Sequence, residues 1–342
     1  YYYIYNTYGG TEGSQTIFRS KDPMGTYEEV AARVMNGQHI HQGALVDTPS
    51  GQWWTVLFKD DGAIGRVPYL EPVVWTDGWP TIGNSGIDVS KGGTAYPKPN
   101  MGTSYPRVCL PTNDTFTSLS LGKQWQWNHQ PDNEAWSLAD NPGSLRLYTS
   151  GIAADLMHAR NSLTQRIVAL HDEGSLNARK PVVYGTVKVD VSHMKDGDVA
   201  GLAVFQDPYS WIGVKNINGA KHLYVYRSAY DNNSVVVRDC GLITADTLYL
   251  QARANFGTSK VTYYYSTDNV NYSRAGSQSF DMRFIISIFT GQRFYLFNYA
   301  TKQNGGYVDF DWFSTEKSFT ESAFYSPAAL QTFSPEDLQL DH

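Results

Sequence analysis

His41 and Arg66 are the polar side chains of this chain whose types and setting could do chemistry. They lie in one aromatic-rich stretch, HQGALVDTPSGQWWTVLFKDDGAIGRVPYLEPVVWTDGWPTIG, from His41 to Gly83. An imidazole ligates metals and exchanges protons near neutral pH. A guanidinium stays charged and offers five donors in a fixed fork. A His at the edge of one strand and a lone Arg at the start of another fit a site at strand ends better than a uniform core. The plain alternatives are a His satisfied by backbone and an Arg that is only surface charge. His39 shares a strand face with His41, and a His-x-His pair can hold a metal directly. No third ligand is evident nearby, so direct metal binding ranks lower. Glu12, Glu28, Glu29, Asp47, Asp60 and Asp61 lie in or beside turns or in a charge pair, and they read as solvated loop carboxylates.

The elements that must position these residues are short strands. VDTPSGQWWTVLF reads as a hairpin, with Leu45 and Val46 on one arm, a Thr-Pro-Ser-Gly turn, and a return arm from Trp53 to Phe58 that buries both faces. An alternating run follows from Val67 to Trp75, then a stop signal at Asp77-Gly78-Trp79-Pro80. Trp53, Trp54, Trp75 and Trp79 read as packing between sheets rather than as a ligand platform. Tyr1 to Asn6 look like the middle of a strand and would make a poor natural N-terminus, so further sequence is expected before them.

Between Asn84 and Pro111 the composition shifts to Gly, Pro, Ser and Asn without periodicity, as a linker does. From Leu110 onward come the β runs QWQWNH, WSLADNPGSLRLYT, VVYGTVKVDV, AGLAVFQ, SWIGVKN, HLYVYRS, TLYLQARAN, KVTYYYSTD, RFIISIF, RFYLFNYA and YVDFDWF. Turn signals such as Asn141-Pro142-Gly143 and Asn218-Gly219 separate them, which predicts an antiparallel sandwich. In ARNSLTQR, Arg160 and Arg166 are placed on the same face of a strand. Trp125, Trp127 and Tyr209 could bind sugar, although aromatic residues in sandwich strands are more often core.

Composition agrees with an all-β chain. Of 342 residues, 24 are Tyr, 15 Phe, 9 Trp and 30 Gly, which favours strands joined by tight turns and suits stacking on sugar rings. The length and the 41% hydrophobic content support two domains. A net charge of −6 argues against nucleic acid as a partner. No apolar run approaches the length of a membrane helix. Cys109 and Cys240 have no metal-type spacing and could form one disulfide or remain two buried thiols, with the thiols preferred.

The motif HQGALVxTxxGxWWxxxFxDxGxxGRxxxLxPVxWxDGWPxxG resembles the end of the catalytic five-bladed β-propeller of glycoside hydrolase family 43, the β-xylosidases and α-L-arabinofuranosidases. WQWNHQPDNEAWSL, LRLYT, ARNSLTQR, GDVAGLAVFQDPYSWIGVK and GYVDFDWF resemble the lectin-like jelly-roll domain that accompanies family 43 xylosidases. The resemblance implies the last propeller blades over residues 1–95, a linker over 96–109, a β-sandwich over 110–318 and a surface-wrapping tail over 319–342. It implies an inverting glycosidase that removes terminal xylose or arabinofuranose from xylan or its oligosaccharides.

In that family a Glu-Gly-Pro motif carrying the general acid comes just before the strand that YYYIYNTYGG resembles, and the base and the modulating Asp lie further upstream. Inversion needs two carboxyl groups roughly 6.5–9.5 Å apart. The resemblance therefore places the catalytic carboxylates outside this chain, which is expected to be inactive without them, and a second chain carrying the N-terminal blades is an expected partner. It implies substrate binding by Arg66 and by His41 or Gln42, since some members write the His one position later. His41 would also face, through water, a structural Ca2+ at the propeller axis, with no cofactor required for the chemistry. Many β-xylosidases read GRET where this chain reads GRVP, which leaves the finer substrate open. Location is left open too, with extracellular or periplasmic favoured over cytoplasmic. The alternative reading is a non-catalytic carbohydrate-binding module with a propeller remnant.

Overall fold

The computed structural model describes residues 1–8, 13–31, 40–82, 99–104, 111–169, 182–285 and 288–317. These fall into two compact units that divide between Arg107 and Val108. Both are built from antiparallel strands. Among the described residues helix is confined to single turns such as Gly62–Ile64 and Leu156–His158, and no helix is long and apolar enough to cross a membrane.

The first unit holds two sheets. One has the order β1 (Tyr2–Tyr8), β2 (Ser14–Ser20), β3 (Glu28–Glu29), and the other β4 (Ile40–Asp47), β5 (Trp53–Asp60), β6 (Arg66–Thr76), β7 (Trp79–Ile82). β4 and β5 are the hairpin read from the sequence, and β6 covers the alternating run from Val67 to Trp75. Asp77-Gly78 does not stop the sheet. Both residues adopt positive φ, 52° and 73°, the requirement of a two-residue hairpin turn whose twist matches its strands, and β7 follows at once. β5 does not bury both faces either, because Val56 is exposed, as are Val46, Leu70 and Val74 on the neighbouring strands.

The opposite face of that sheet forms a small core of Ile40, Leu57, Val73 and Ile82, flanked by Tyr5, Leu45 and Trp53. Tryptophans and tyrosines knit the unit. Trp75 meets Trp53 and Tyr3 edge-on, each at 5.2 Å. Polar links that join the sheets include the Tyr5 and Thr55 hydroxyls at 3.0 Å, the Tyr3 hydroxyl donating to the Gly78 carbonyl at 2.6 Å, and the Arg19 guanidinium donating to the Asp77 carbonyl at 2.7 Å. Burial pushes the Tyr5 phenol up to about 12, opposed by its bond to Thr55.

The second unit runs β8 (Trp125–Asn128), β9 (Trp136–Ser137), β10 (Leu145–Tyr148), β11 (Ser162–Arg166), β12 (Val182–Asp190), β13 (Asp198–Phe205), β14 (Ser210–Ile217) and β15 (Ala220–Arg227). It continues with β16 (Val236–Leu242), β17 (Thr247–Asn255), β18 (Lys260–Ser266), β19 (Ser273–Arg274), β20 (Phe280–Asp281), β21 (Arg293–Ala300) and β22 (Tyr307–Ser314). One sheet has the order β19-β18-β17-β12-β22-β10-β9, with β20 also on β18, and the other β16-β15-β14-β13-β21-β11-β8.

Side chains at or near zero exposure, including Leu145, Val187, Leu202, Ile212, Leu250, Phe294, Phe310 and Phe313, form its interior. A second cluster joins Phe205, Tyr209, Trp211, Tyr295 and Phe297 to Ala153, Leu156 and Ala159, with Phe205 stacked on Tyr209 at 4.7 Å and on Tyr295 at 4.3 Å. Asn218-Gly219 makes the turn between β14 and β15, both with positive φ.

The preference for core over platform among the aromatics of this unit holds at Tyr209 and Trp125, while three other expectations change. Tyr209 and Trp125 are buried, so neither offers a platform to sugar, and Trp127 is half-buried against Trp136 at 5.1 Å. Arg160 does not share a strand face with Arg166, because Asn161 between them turns left-handed at φ 53° and β11 starts only at Ser162. Arg283, Phe284 and Ile285 of RFIISIF lie outside any strand. β16 has no counterpart among the β runs expected from the sequence, because within its first residues only Val236 and Val237 carry an apolar signal and its side chains are mostly exposed. Cys240 is half-buried, and burial raises its thiol. Cys109, Gly83, nearly all of the composition-shifted segment and the tail from 319 lie outside the described residues.

Candidate functional site

Of the three residues singled out from the sequence, His41 and Arg66 meet at one aromatic ring, and Gln42 reaches Arg66. In the register of β4 against β5, His41 faces Phe58, and the next pair is Ala44 with Val56, so Gln42 and Gly43 form a bulge. A Cβ on Gly43 would lie 2.0 Å from the Val56 carbonyl oxygen. Only glycine allows that approach. The bulge turns Gln42 into the left-handed region, φ 54°, and its side chain out toward solvent.

β5 lies between β4 and β6, so Phe58 is touched from both sides. The His41 imidazole, 7% exposed, is 5.1 Å from the Phe58 ring. The Arg66 guanidinium lies over the same ring at 4.1 Å, a cation–π contact. Gly65, at φ 88°, turns the chain into β6 at Arg66. From there the Arg66 Nε donates to Asp60 Oδ1 at 3.2 Å and its Nη1 to Gln42 Oε1 at 3.2 Å. Its guanidinium is thus held by ring, carboxylate and amide, and such a fixed fork recognises paired oxygens. Arg66 and Asp60 are both largely withdrawn from solvent, with side-chain exposures of 24% and 29%.

Asp60 is therefore not a solvated loop carboxylate. It ends β5 directly opposite Arg66, and its pairing was hidden because the sequence shows Asp60-Asp61 only as a charged doublet. Glu28 is exposed and takes the Arg19 Nε at 2.6 Å, while Glu29 accepts from the Tyr8 and Thr16 hydroxyls. Asp47 is exposed at the end of β4, and Asp61 precedes the turn at Gly62. Glu71, buried on β6 opposite Thr55, is one the sequence reading passed over. Burial, and then the nearby Glu71, raise the Tyr69 phenol. Glu12 and His39 lie outside the described residues. Among those described, no group of three or more His, Cys, Asp or Glu is arranged to hold a metal ion.

Phe58 and Gln15 are further site residues that the sequence reading did not find. Period-two alternation on β5 could have shown Phe58 facing the neighbours of His41 and Arg66. Nothing local marks Gln15, which reaches Gln42 from the other sheet.

Residues 113–316 match the family model of the β-xylosidase C-terminal concanavalin A-like domain. A β-xylosidase of Formosa agariphila is 34% identical over 88% of this chain and 52% of its own length. A non-reducing end α-L-arabinofuranosidase of Bacteroides ovatus is 35% identical over 44% of this chain and 31% of its own length. A solved bifunctional protein of Bacteroides eggerthii that carries a family 43 glycoside hydrolase superposes with a TM-score of 0.77 at 36% identity, over 93% of this chain and 39% of that one. The chain spans about half the length of the curated β-xylosidase relatives it matches.

Proposed function

Because the chain belongs to glycoside hydrolase family 43, with its β-propeller and lectin-like β-sandwich architecture, we propose that it carries the last blades of the propeller and serves an inverting glycosidase. The enzyme would release terminal β-D-xylose or α-L-arabinofuranose from xylan-derived or arabinose-substituted oligosaccharides. The observation that carries this reading is the convergence of His41 and Arg66 on Phe58, with Gln42 bonded to Arg66, at one end of a four-stranded sheet. The β-xylosidase and arabinofuranosidase relatives support the same substrate class.

In this proposal the guanidinium of Arg66, held by Asp60 and Gln42, donates hydrogen bonds to sugar hydroxyls, and His41 lines the pocket. The acid and base are carboxylates of sequence outside this chain, in the same polypeptide or a second one. One carboxyl, protonated, donates to the leaving oxygen, and the other takes a proton from the water that attacks the anomeric carbon from the opposite face. The exposed aliphatic face of Val46, Val56, Leu70 and Val74 suits coverage by further apolar surface from that sequence. A structural Ca2+ would find no cage of protein ligands among the described residues. His41 is the contact proposed for it, through water, and no step of the reaction runs through the ion. We further propose an extracellular or periplasmic location, suited to a polymeric substrate.

The test compares residues 1–342 alone with a protein that also carries the preceding sequence of a family relative, using nitrophenyl β-D-xyloside and α-L-arabinofuranoside. Proton NMR follows the anomer first released. Hydrolysis with inversion by the longer protein alone is the expected result. Hydrolysis by residues 1–342 would overturn the placement of the carboxylates. Xylo-oligosaccharide binding by both proteins without hydrolysis by either would favour a binding module.

A further inference from the structure

Gln15 sits on β2, in the sheet opposite Gln42, and is only 1% exposed. A buried carboxamide must find partners for its donors and acceptor, and this one finds them at two places. Nε2 donates to the Asn6 carbonyl and, at 3.4 Å, to the Thr16 carbonyl, which fastens the group to its own sheet. Oε1 accepts the backbone N–H of Gln42 at 3.0 Å. That N–H belongs to a bulge residue with no partner opposite it on β5, so the bond satisfies a donor that the ladder leaves behind. Left-handed backbone is unfavourable for a residue with a side chain, and the bond from Gln15 acts where the bulge needs support.

We propose that Gln15 is a positioning residue for Arg66, acting through Gln42. The chain of contacts runs from Gln15 Oε1 to the Gln42 N–H, along the Gln42 side chain, and from Gln42 Oε1 to Arg66 Nη1. It sets the plane of the guanidinium over Phe58 and hence the direction in which Arg66 addresses a neutral pentose. The inference rests on the reading of Arg66 as a sugar-binding residue.

The test uses the longer protein described above. Gln15→Leu keeps the volume and removes both bonding functions, so KM for the nitrophenyl pentoside rises about tenfold while kcat changes little. In the Gln15→Leu/Arg66→Ala double variant the two effects do not multiply, because one acts through the other. Gln15→Glu keeps the acceptor and regains a donor toward Asn6 only when protonated. Its KM stays nearer the parental value than that of Gln15→Leu, because the acceptor for the Gln42 N–H is kept in either protonation state.

A Gln15→Leu protein that melts lower but keeps its KM, or effects that multiply in the double variant, would overturn the proposal. A separate readout needs no hydrolysis: the Arg66 Nε–H NMR resonance, assigned by its loss in Arg66→Ala, shifts or broadens in Gln15→Leu. If Arg66→Ala leaves KM unchanged, the sugar-binding reading falls, and this resonance alone decides whether Gln15 positions the guanidinium.

Discussion

The two units bury polar groups for different ends. In the second, polar side chains tie sandwich strands together: Arg146 meets Asp309 in a two-pronged ion pair at 2.8 and 2.7 Å, and Asn141 bonds the same carboxylate while Ser144 bonds Asp311. Around them fully buried Leu, Val, Ile and Phe fill the sandwich. In the first, a four-residue aliphatic core supports a polar relay from Gln15 to Gln42 to Arg66 to Asp60 that runs through a bulge. Packing density secures the sandwich, whereas directional bonds at a bulge secure the candidate site. Substitutions should therefore separate the units, costing stability in one and sugar recognition in the other.

The largest effect expected is from Phe297→Ala, which empties a fully buried ring site between Trp211 and Tyr299. It should cost about 3–5 kcal/mol in denaturant unfolding of the sandwich, with pentoside KM unchanged in the molecules that stay folded. A shift in KM would break the division of labour. Arg66→Ala should do the reverse, lowering kcat/KM about a hundredfold, about 2.7 kcal/mol, with little change in melting temperature.

Asp198 tests the sandwich from the polar side. It is fully buried, its Oδ2 accepts the Lys195 backbone N–H at 2.7 Å, and burial pushes its carboxyl up to about 6, with that hydrogen bond opposing. Its folded pKa lies above the unfolded value, so the folded state holds the proton longer. The resulting stability is complete below about pH 4 and is lost as pH rises to 6. Asp198→Asn removes this dependence. The variant's stability relative to the parent should rise by on the order of 2 kcal/mol between pH 4 and 7, measured as paired denaturant midpoints. A difference that does not vary with pH would mean Asp198 stays ionised. The smallest effect expected is from Val56→Thr on the exposed face of β5, within about 0.5 kcal/mol in the isolated chain. A larger loss only in the longer protein would show that this face is covered there.

Much of this architecture was legible because period-two patterning and turn chemistry are local. Leu45 to Phe58 announces its hairpin, and Asn218-Gly219 its turn. His41 and Arg66 were legible as a pair because each stands out as a polar residue at the end of an apolar strand. Where an effect depended on a partner far along the chain, the sequence was silent. Asp60 looked solvated until the register of β5 and β6 set it across from Arg66. Gln15 gave no sign at all, since its role depends on a bulge 27 positions away. Arg160 was misplaced for a related reason: a single left-handed Asn161 undoes alternation without leaving a mark in hydropathy.

The left-handed Gln42 also bears on how this chain would change under selection. Glycine would adopt φ 54° without steric penalty, so a library screened for thermal tolerance alone should drift to glycine at this position. A library screened for sugar turnover should keep the amide that reaches Arg66. Position 42 would thus report which pressure, durability or recognition, had shaped a given descendant.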